Sequence, residues 1–316
     1  VLYLTENQVR ELLPMTEAIR LTAEAFEALA RGEAQSQPRR RLILPSGSVL
    51  HAMAGSYGKY FGTKVYSTNP RFGAYFHFLL YDAATAMPLA LMEANWLGQL
   101  RTGAATGLAT DRLARADAKV LGIVGSGFQA RSQMDAVLAV RKLEEIRVWS
   151  RSKEKCESFV KGAPEAPGLR IAASAEECVR GADIVVTMTS AKEPVLASEW
   201  VSDGAHVNGA GTNIANRREL PPELLARASC IVVDSKEQAK LEAGDLILGL
   251  KPDQWERVEE LKDGRRRLST DEITVFKSVG IGLEDVAVGG FIYEQALRAG
   301  IATLVPGPAD LHRATR

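Results

Sequence analysis

Apolar and polar positions change rhythm along the chain. Residues 16–30 place Ile19, Ala23, Phe26 and Leu29 at helical spacing, and Gly32 is positioned to end the helix. A shorter helix over 5–13 precedes it, opened by Thr5 and Gln8 as a capping box. The polar, basic stretch 35–41 reads as a hinge. Five short strand-like runs follow, at 41–44, 49–54, 60–66, 75–81 and 88–92, and their turns predict a mostly antiparallel sheet. Residues 95–115 then read as one long helix with a small face of Thr102, Ala105, Thr106 and Ala109. It contains Gly103 and Gly107, each costing about 1 kcal/mol relative to alanine, so another element or a ligand is expected close by.

From Lys119 the rhythm becomes strand–helix–strand. Strands are predicted at 120–124, 146–150, 170–172, 183–189, 205–209, 230–234 and 273–277, with helices at 129–140, 153–161, 175–180, 222–228 and 236–244. Residues 253–268 read as a surface segment. A last helix, 283–299, is expected to fold back onto the first unit. Alternating strands and helices predict a parallel sheet covered on both faces. The fold class is therefore α/β, a Rossmann-type doubly wound sheet over 115–283. An α+β unit is expected from 1–114 with 284–316.

The stretch KVLGIVGSGFQA, 119–130, holds the most specific local signal. A buried strand runs into Gly125-Ser126-Gly127, and a helix follows from Phe128 and Gln129. Strand, glycine turn and helix in this order point to a dinucleotide site. Gly125 permits the turn, Gly127 lets backbone approach a pyrophosphate, and the helix N-terminus offers free amides. Where NAD-binding sheets carry an acidic residue after the second strand, this chain has Ser150-Arg151-Ser152. A carboxylate would repel a 2′-phosphate, whereas hydroxyls and a guanidinium would bind it. NADPH (NADP+) is expected, with NADH less favoured. Thr187, Met188 and Thr189 are expected to pass beneath the cofactor at the switch point, with Thr102 also near it.

Charge and composition narrow the class. The chain of 316 residues has 39 Lys and Arg against 39 Asp and Glu, a net charge of +0. That balance argues against nucleic acid or an anionic membrane as partner. The 46% hydrophobic content supports a substantial core. Three scattered cysteines and four histidines without metal spacing predict free thiols and no metal site. No apolar run reaches membrane-spanning length and the N-terminus carries no signal-peptide pattern, so a cytoplasmic protein is expected.

Over nearly its whole length the chain resembles the ornithine cyclodeaminase/mu-crystallin family, with the mu-crystallin branch of ketimine reductases nearest. The matching stretches are QPRRR at 37–41, GTKVY at 62–66, LRTGAATGLAT at 100–110, GSGFQA, VWSRSKEKCESF at 148–159, NGAGTNIANRREL at 208–220, VVDSKEQAKLEAGDL and VFKSVGIGLED. The resemblance implies a homodimer built from the first unit and last helix, with the active site between the two units. It places carboxylate-binding arginines at Arg40 and Arg101, the spacing from Pro38 favouring Arg40 over Arg39 and Arg41. It places the active-site lysine at Lys64 and a substrate contact at Met53. Ser278 and Val279 match a loop near the nicotinamide. Two positions depart from the cyclodeaminase pattern: His51 lies near where a Glu stands, and Asn213 and Arg217 replace the catalytic Asp and the Lys of its loop.

This chemistry is coherent. An imine bearing a carboxylate needs a planar cation clamp, which two arginines supply. Lys64 could hydrogen-bond the substrate or donate a proton if burial lowers its pKa. The expected reaction is NADPH-dependent reduction of a cyclic or N-substituted imino acid. The alternatives are an alanine-dehydrogenase-like reductive amination of a 2-oxo acid, and a non-catalytic crystallin-like protein that binds NADPH and a ligand.

Overall fold

The computed structural model describes residues 1–306. Residues 307–316 of the expected first unit, and His312, lie outside them. The first sheet contains β1 (Leu2–Leu4), β2 (Gln35–Ser36), β3 (Arg40–Ile43), β4 (Val49–Tyr57), β5 (Tyr60–Asn69), β6 (Gly73–Asp82) and β7 (Pro88–Glu93). The second contains β8 (Val120–Val124), β9 (Glu145–Trp149), β10 (Leu169–Ile171), β11 (Ile184–Thr187), β12 (His206–Gly209), β13 (Cys230–Val233), β14 (Val258–Glu260) and β15 (Thr274–Lys277). A late strand, β16 (Thr303–Leu304), returns to the first sheet beside β1.

The helices are α1 (Glu6–Leu12), α2 (Met15–Ala30), α3 (Asn95–Leu113), α4 (Phe128–Val140), α5 (Lys153–Lys161), α6 (Ala175–Val179), α7 (Pro222–Arg227), α8 (Lys236–Glu242), α9 (Gly244–Gly249) and α10 (Gly282–Ala299). Among the described residues, no helix is long and apolar enough to cross a membrane.

The second sheet is parallel throughout, in the order β10-β9-β8-β11-β12-β15-β13-β14. The chain steps outward from β8 to β10, then returns to β11 on the other flank of β8. This reversal makes a switch point where ligand clefts form beyond the strand C-termini. Apolar strands such as Ile184–Thr187 are buried on both faces, as a helix-covered parallel sheet requires.

The first sheet is mostly antiparallel, β4 to β7 pairing in sequence, and β1 adds parallel to β7. Helix α10 packs on β4, β5 and β6 and against α2 and α3. Its start lies on the β4 backbone: a Cβ at Gly282 would come within 2.4 Å of the Ala54 carbonyl oxygen, and one at Gly55 within 2.7 Å of the Leu283 nitrogen. Glycine at both positions lets these backbones touch. The small face of α3 is explained by helix packing, with Gly103 against Ser132 of α4 and Gly107 against Ile19 of α2.

Two expectations are corrected. Residues 35–41 are not a hinge: β2 and β3 pair with β4, and Arg39 is buried. The basic run is held because one buried carboxylate, Glu242, and backbone carbonyls, not solvent, receive Arg39 and Arg41. The stretch 253–268 is not merely a surface segment, since β14 extends the second sheet beyond β13. Three residues are too few to show strand periodicity.

Candidate active site

Strand alternation builds one wall of the site. Successive side chains point to opposite faces, and the register stacks like-facing residues in rows across β3 to β6. One row is Met53, Lys64 and Phe78; the next is Arg41, His51, Tyr66 and Phe76; the third is Ile43, Val49 and Thr68. Lys64, the whole second row and the whole third row line a cavity of about 560 Å³. The loops after β11, β12 and β15 and the helices α3 and α8 close it, contributing Arg101, Thr102, Met188, Asn213, Glu242, Ser278 and Val279.

The alternation decides among the three arginines. Arg39 and Arg41 line the cavity. Arg40, the expected carboxylate ligand, is exposed on the opposite face and pairs with Ala52. Met53 is also displaced from its expected role: at 1% exposure it is buried beside Lys64 and does not line the cavity.

The charges form a buried lattice. Lys64 Nζ donates to Asp285 Oδ1 at 2.7 Å, and Arg101 Nε donates to the same oxygen at 3.1 Å. Arg101 also donates to Glu284 Oε2 at 2.8 Å. Glu242 holds Arg39 on one oxygen and Arg41 on the other. Arg41 further donates to the Asn213 carbonyl at 3.1 Å, tying the first sheet to the loop after β12. Asp234 accepts from the Ser278 hydroxyl and the Val279 and Gly280 amides, fixing the loop after β15.

Burial of Lys64, reinforced by Arg101, pushes its pKa down to about 7 despite Asp285. Burial, with Asp234 and Asp285 nearby, pushes Glu284 up to about 8 despite Arg101. Burial opposes the charge of Arg101, but Asp285 and Glu284 outweigh it and its pKa rises. A guanidinium has five donors, so Arg41 and Arg101 each keep donors for a ligand. His51 is pushed down to about 4 by burial and by Arg41 and Arg39, so its ring is neutral.

A second cleft, about 790 Å³, adjoins the first at Met188, which lines both. It is lined by Gly125, Ser126, Gly127, Ser150, Arg151, Ser152, Lys155 and Thr189. Gly125 sits at φ 118°, and a Cβ there would lie 2.2 Å from the Met188 carbonyl oxygen. A Cβ at Gly127 would meet nothing within 4 Å, so that face is open. The Phe128 and Gln129 amides begin α4 and have no intrahelical carbonyl to bond. These features fit a dinucleotide pyrophosphate.

Several cofactor expectations are refined by the side chains. Ser150 Oγ bonds Ser126 Oγ at 2.8 Å and the Ser152 carbonyl at 3.0 Å, so it braces the glycine turn. Arg151 is exposed at the rim, with Lys155 lining the same cleft. Thr187 is fully buried inside β11 and its side chain does not reach the cleft. The Phe128 ring packs against Trp96 instead of the cleft, leaving only its amide for a phosphate. Thr102 and Gln129 line the 560 Å³ cavity rather than the cleft.

The sequence reading missed Asp285, Glu284, Glu242, Tyr66 and Lys155. Glu284-Asp285 in a helix's first turn reads as ordinary dipole complementation. Only the fold brings Asp285 to Lys64 and both acids to Arg101.

A doubly wound sheet with a glycine turn at its switch point, facing a cavity of cations on a second sheet, defines a nicotinamide-dependent oxidoreductase. The chain belongs to the ornithine cyclodeaminase/mu-crystallin family, whose profile matches residues 2–300. It is 40% identical to a Delta(1)-pyrroline-2-carboxylate reductase of Bacillus cereus over 71% of each chain. It is 34% identical to an alanine dehydrogenase of Archaeoglobus fulgidus, covering 96% of this chain and 98% of that one. Among solved structures it resembles the Thermococcus litoralis Delta(1)-pyrroline-2-carboxylate reductase in complex with NADH and L-proline. That match has a TM-score of 0.92 and 33% identity over 96% of this chain and 100% of the other.

Proposed function

We propose that the protein reduces a cyclic or N-substituted imino acid to the corresponding amino acid, using NADPH. The observation that carries this reading is Lys64: a lysine on the wall of the cavity with a pKa pushed to about 7 by burial, held from behind by the fully buried Asp285. The dinucleotide would lie across Gly125, Gly127 and the start of α4, with Arg151 and Lys155 toward a 2′-phosphate, and would supply the hydride.

The chain's own residues supply the rest. Arg41 and Arg101 use their spare donors to hold the substrate carboxylate. Asp285 orients Lys64 and favours its charged form. Lys64 gives one proton to the nitrogen as the C=N bond is reduced. Asn213 has no titratable proton and cannot act as a general base. A substrate that arrives already as an imine does not need one. The resemblance to reductases of pyrroline-2-carboxylate supports the same reading.

The whole-length resemblance to an alanine dehydrogenase favours a second reading, reductive amination of a 2-oxo acid. Exposed Leu42, Leu50 and Tyr75 on the first sheet, with Phe72 in the turn between β5 and β6, support a homodimer through that unit. The test is NADPH consumption with pyrroline-2-carboxylate and piperideine-2-carboxylate, set against pyruvate with ammonia or methylamine. Faster turnover of pyruvate with ammonia would favour the second reading.

A further inference from the structure

The row Arg41, His51, Tyr66 and Phe76 crosses four neighbouring strands one position at a time. Three of its members are rings, and they stack. The His51 and Tyr66 centroids are 4.1 Å apart with planes 4° from parallel; those of Tyr66 and Phe76 are 4.8 Å apart at 17°. These separations approach the spacing of adjacent strands, about 4.8 Å. The ring planes therefore stand up from the sheet, side by side, and turn their edges to the cavity. His51 Nε2 is taken by the Thr68 hydroxyl at 3.0 Å, which fixes the end of the stack.

Position and polarity assign the stack a task. Tyr66 is two residues beyond Lys64 on the same strand face, a distance of about 7 Å. A group attached to the reacting carbon and pointing away from Lys64 reaches the ring edges. Ile43 and Val49 continue the wall outward, and Ile214 and Leu241 face it from the second unit. Ring edges carry partial positive charge and meet the face of another aromatic favourably.

The cavity also disfavours one kind of side chain. Four cations line it: Arg39, Arg41, Lys64 and Arg101. Among the described lining residues the only carboxylate is Glu242, and both its oxygens already hold arginines. A distal ammonium would find no free acid there. His51, neutral in this setting, adds none.

We infer that the site selects imino acids with an aromatic side chain, seated against the edges of the His51–Tyr66–Phe76 stack, and rejects those with a distal ammonium. This rests on the imino-acid chemistry proposed above, so the experiment separates the two. The first arm is calorimetry on the protein with NADP+ bound, titrated with N-methylphenylalanine, N-methylalanine and Nα-methyl-lysine. The second is kcat/KM for NADPH consumption with methylamine and either phenylpyruvate or pyruvate. The expected result is at least tenfold tighter binding of N-methylphenylalanine than of either other ligand, with the same preference in kcat/KM. Tyr66→Leu and Phe76→Leu should each bring the phenyl-to-methyl ratio several-fold toward one. A wild-type binding ratio near one, or a ratio that neither variant changes, overturns the inference. Absence of NADPH consumption in the second arm counts against reduction of N-methyl imino acids alone, because the cyclic imines test the proposed reaction and the binding arm still decides the selectivity.

Discussion

Lys64 Nζ lies 2.7 Å from Asp285 Oδ1, across 221 positions of sequence. One residue belongs to a strand of the first sheet and the other to the first turn of α10. The contact exists because Gly55 and Gly282 let that helix start lie directly on β4. It places a lysine where burial lowers its pKa to about 7 and a carboxylate opposes the shift.

The sign of the pH dependence follows from that balance. Lys64 is charged below about pH 7 and neutral above it, so kcat for imine reduction should hold at low pH and fall as pH rises through 7. Asp285→Asn removes an anion that favours the charged lysine. The midpoint should then move to lower pH. A kcat profile with the same midpoint in both proteins would contradict a proton held at Lys64.

The arginine run offers a controlled comparison. Arg41 lines the cavity and Arg40 faces away. Losing a charge-assisted hydrogen bond costs roughly 1.5–3 kcal/mol, so Arg41→Ala should raise KM for the imino acid about ten- to a hundredfold. Arg40→Ala should leave steady-state constants within about twofold. Equal effects of the two substitutions would remove Arg41 from the clamp.

The proposed preference for NADPH makes the end of β9 the place to test. Arg151→Ala should weaken NADPH binding about tenfold or more and leave NADH little changed, since only NADPH has a phosphate to lose. Lys155→Ala should act in the same direction. Fluorescence titration with both cofactors measures this; unaltered NADPH affinity in both variants would contradict the assignment.

The glycine turn makes a stability prediction. Gly125→Ala must place a Cβ against the Met188 carbonyl in a left-handed backbone region. Strain of this kind costs about 1–3 kcal/mol or more. The variant should melt at a lower temperature and bind cofactor more weakly. An unchanged Tm would show that the turn relaxes freely.

Local order was legible in the sequence where the signal is local. The alternation from Val120 onward and the glycine turn led directly to the doubly wound sheet and its cleft, and Lys64 and Arg101 were placed by resemblance. What was not legible depended on register. A run of three arginines gives no local clue to which one points inward; pairing of β3 with β4 decides it, and selects Arg39 and Arg41 over Arg40. The stack of His51, Tyr66 and Phe76 likewise exists only once three strands align. Glu242 on the polar helix α8, and Asp285 in the acidic first turn of the apolar helix α10, read as ordinary surface acids until the fold buries them against cations.

The most direct measurement of the proposed reaction follows the hydrogen itself. NADPH deuterated at the transferring position is incubated with the protein and pyrroline-2-carboxylate, and the product is read by mass spectrometry. The expected result is proline with one deuterium at Cα, formed in step with NADPH consumption, and no proline from ornithine with NAD. Rapid proline formation from ornithine, with no labelled proline from the imine, would contradict it.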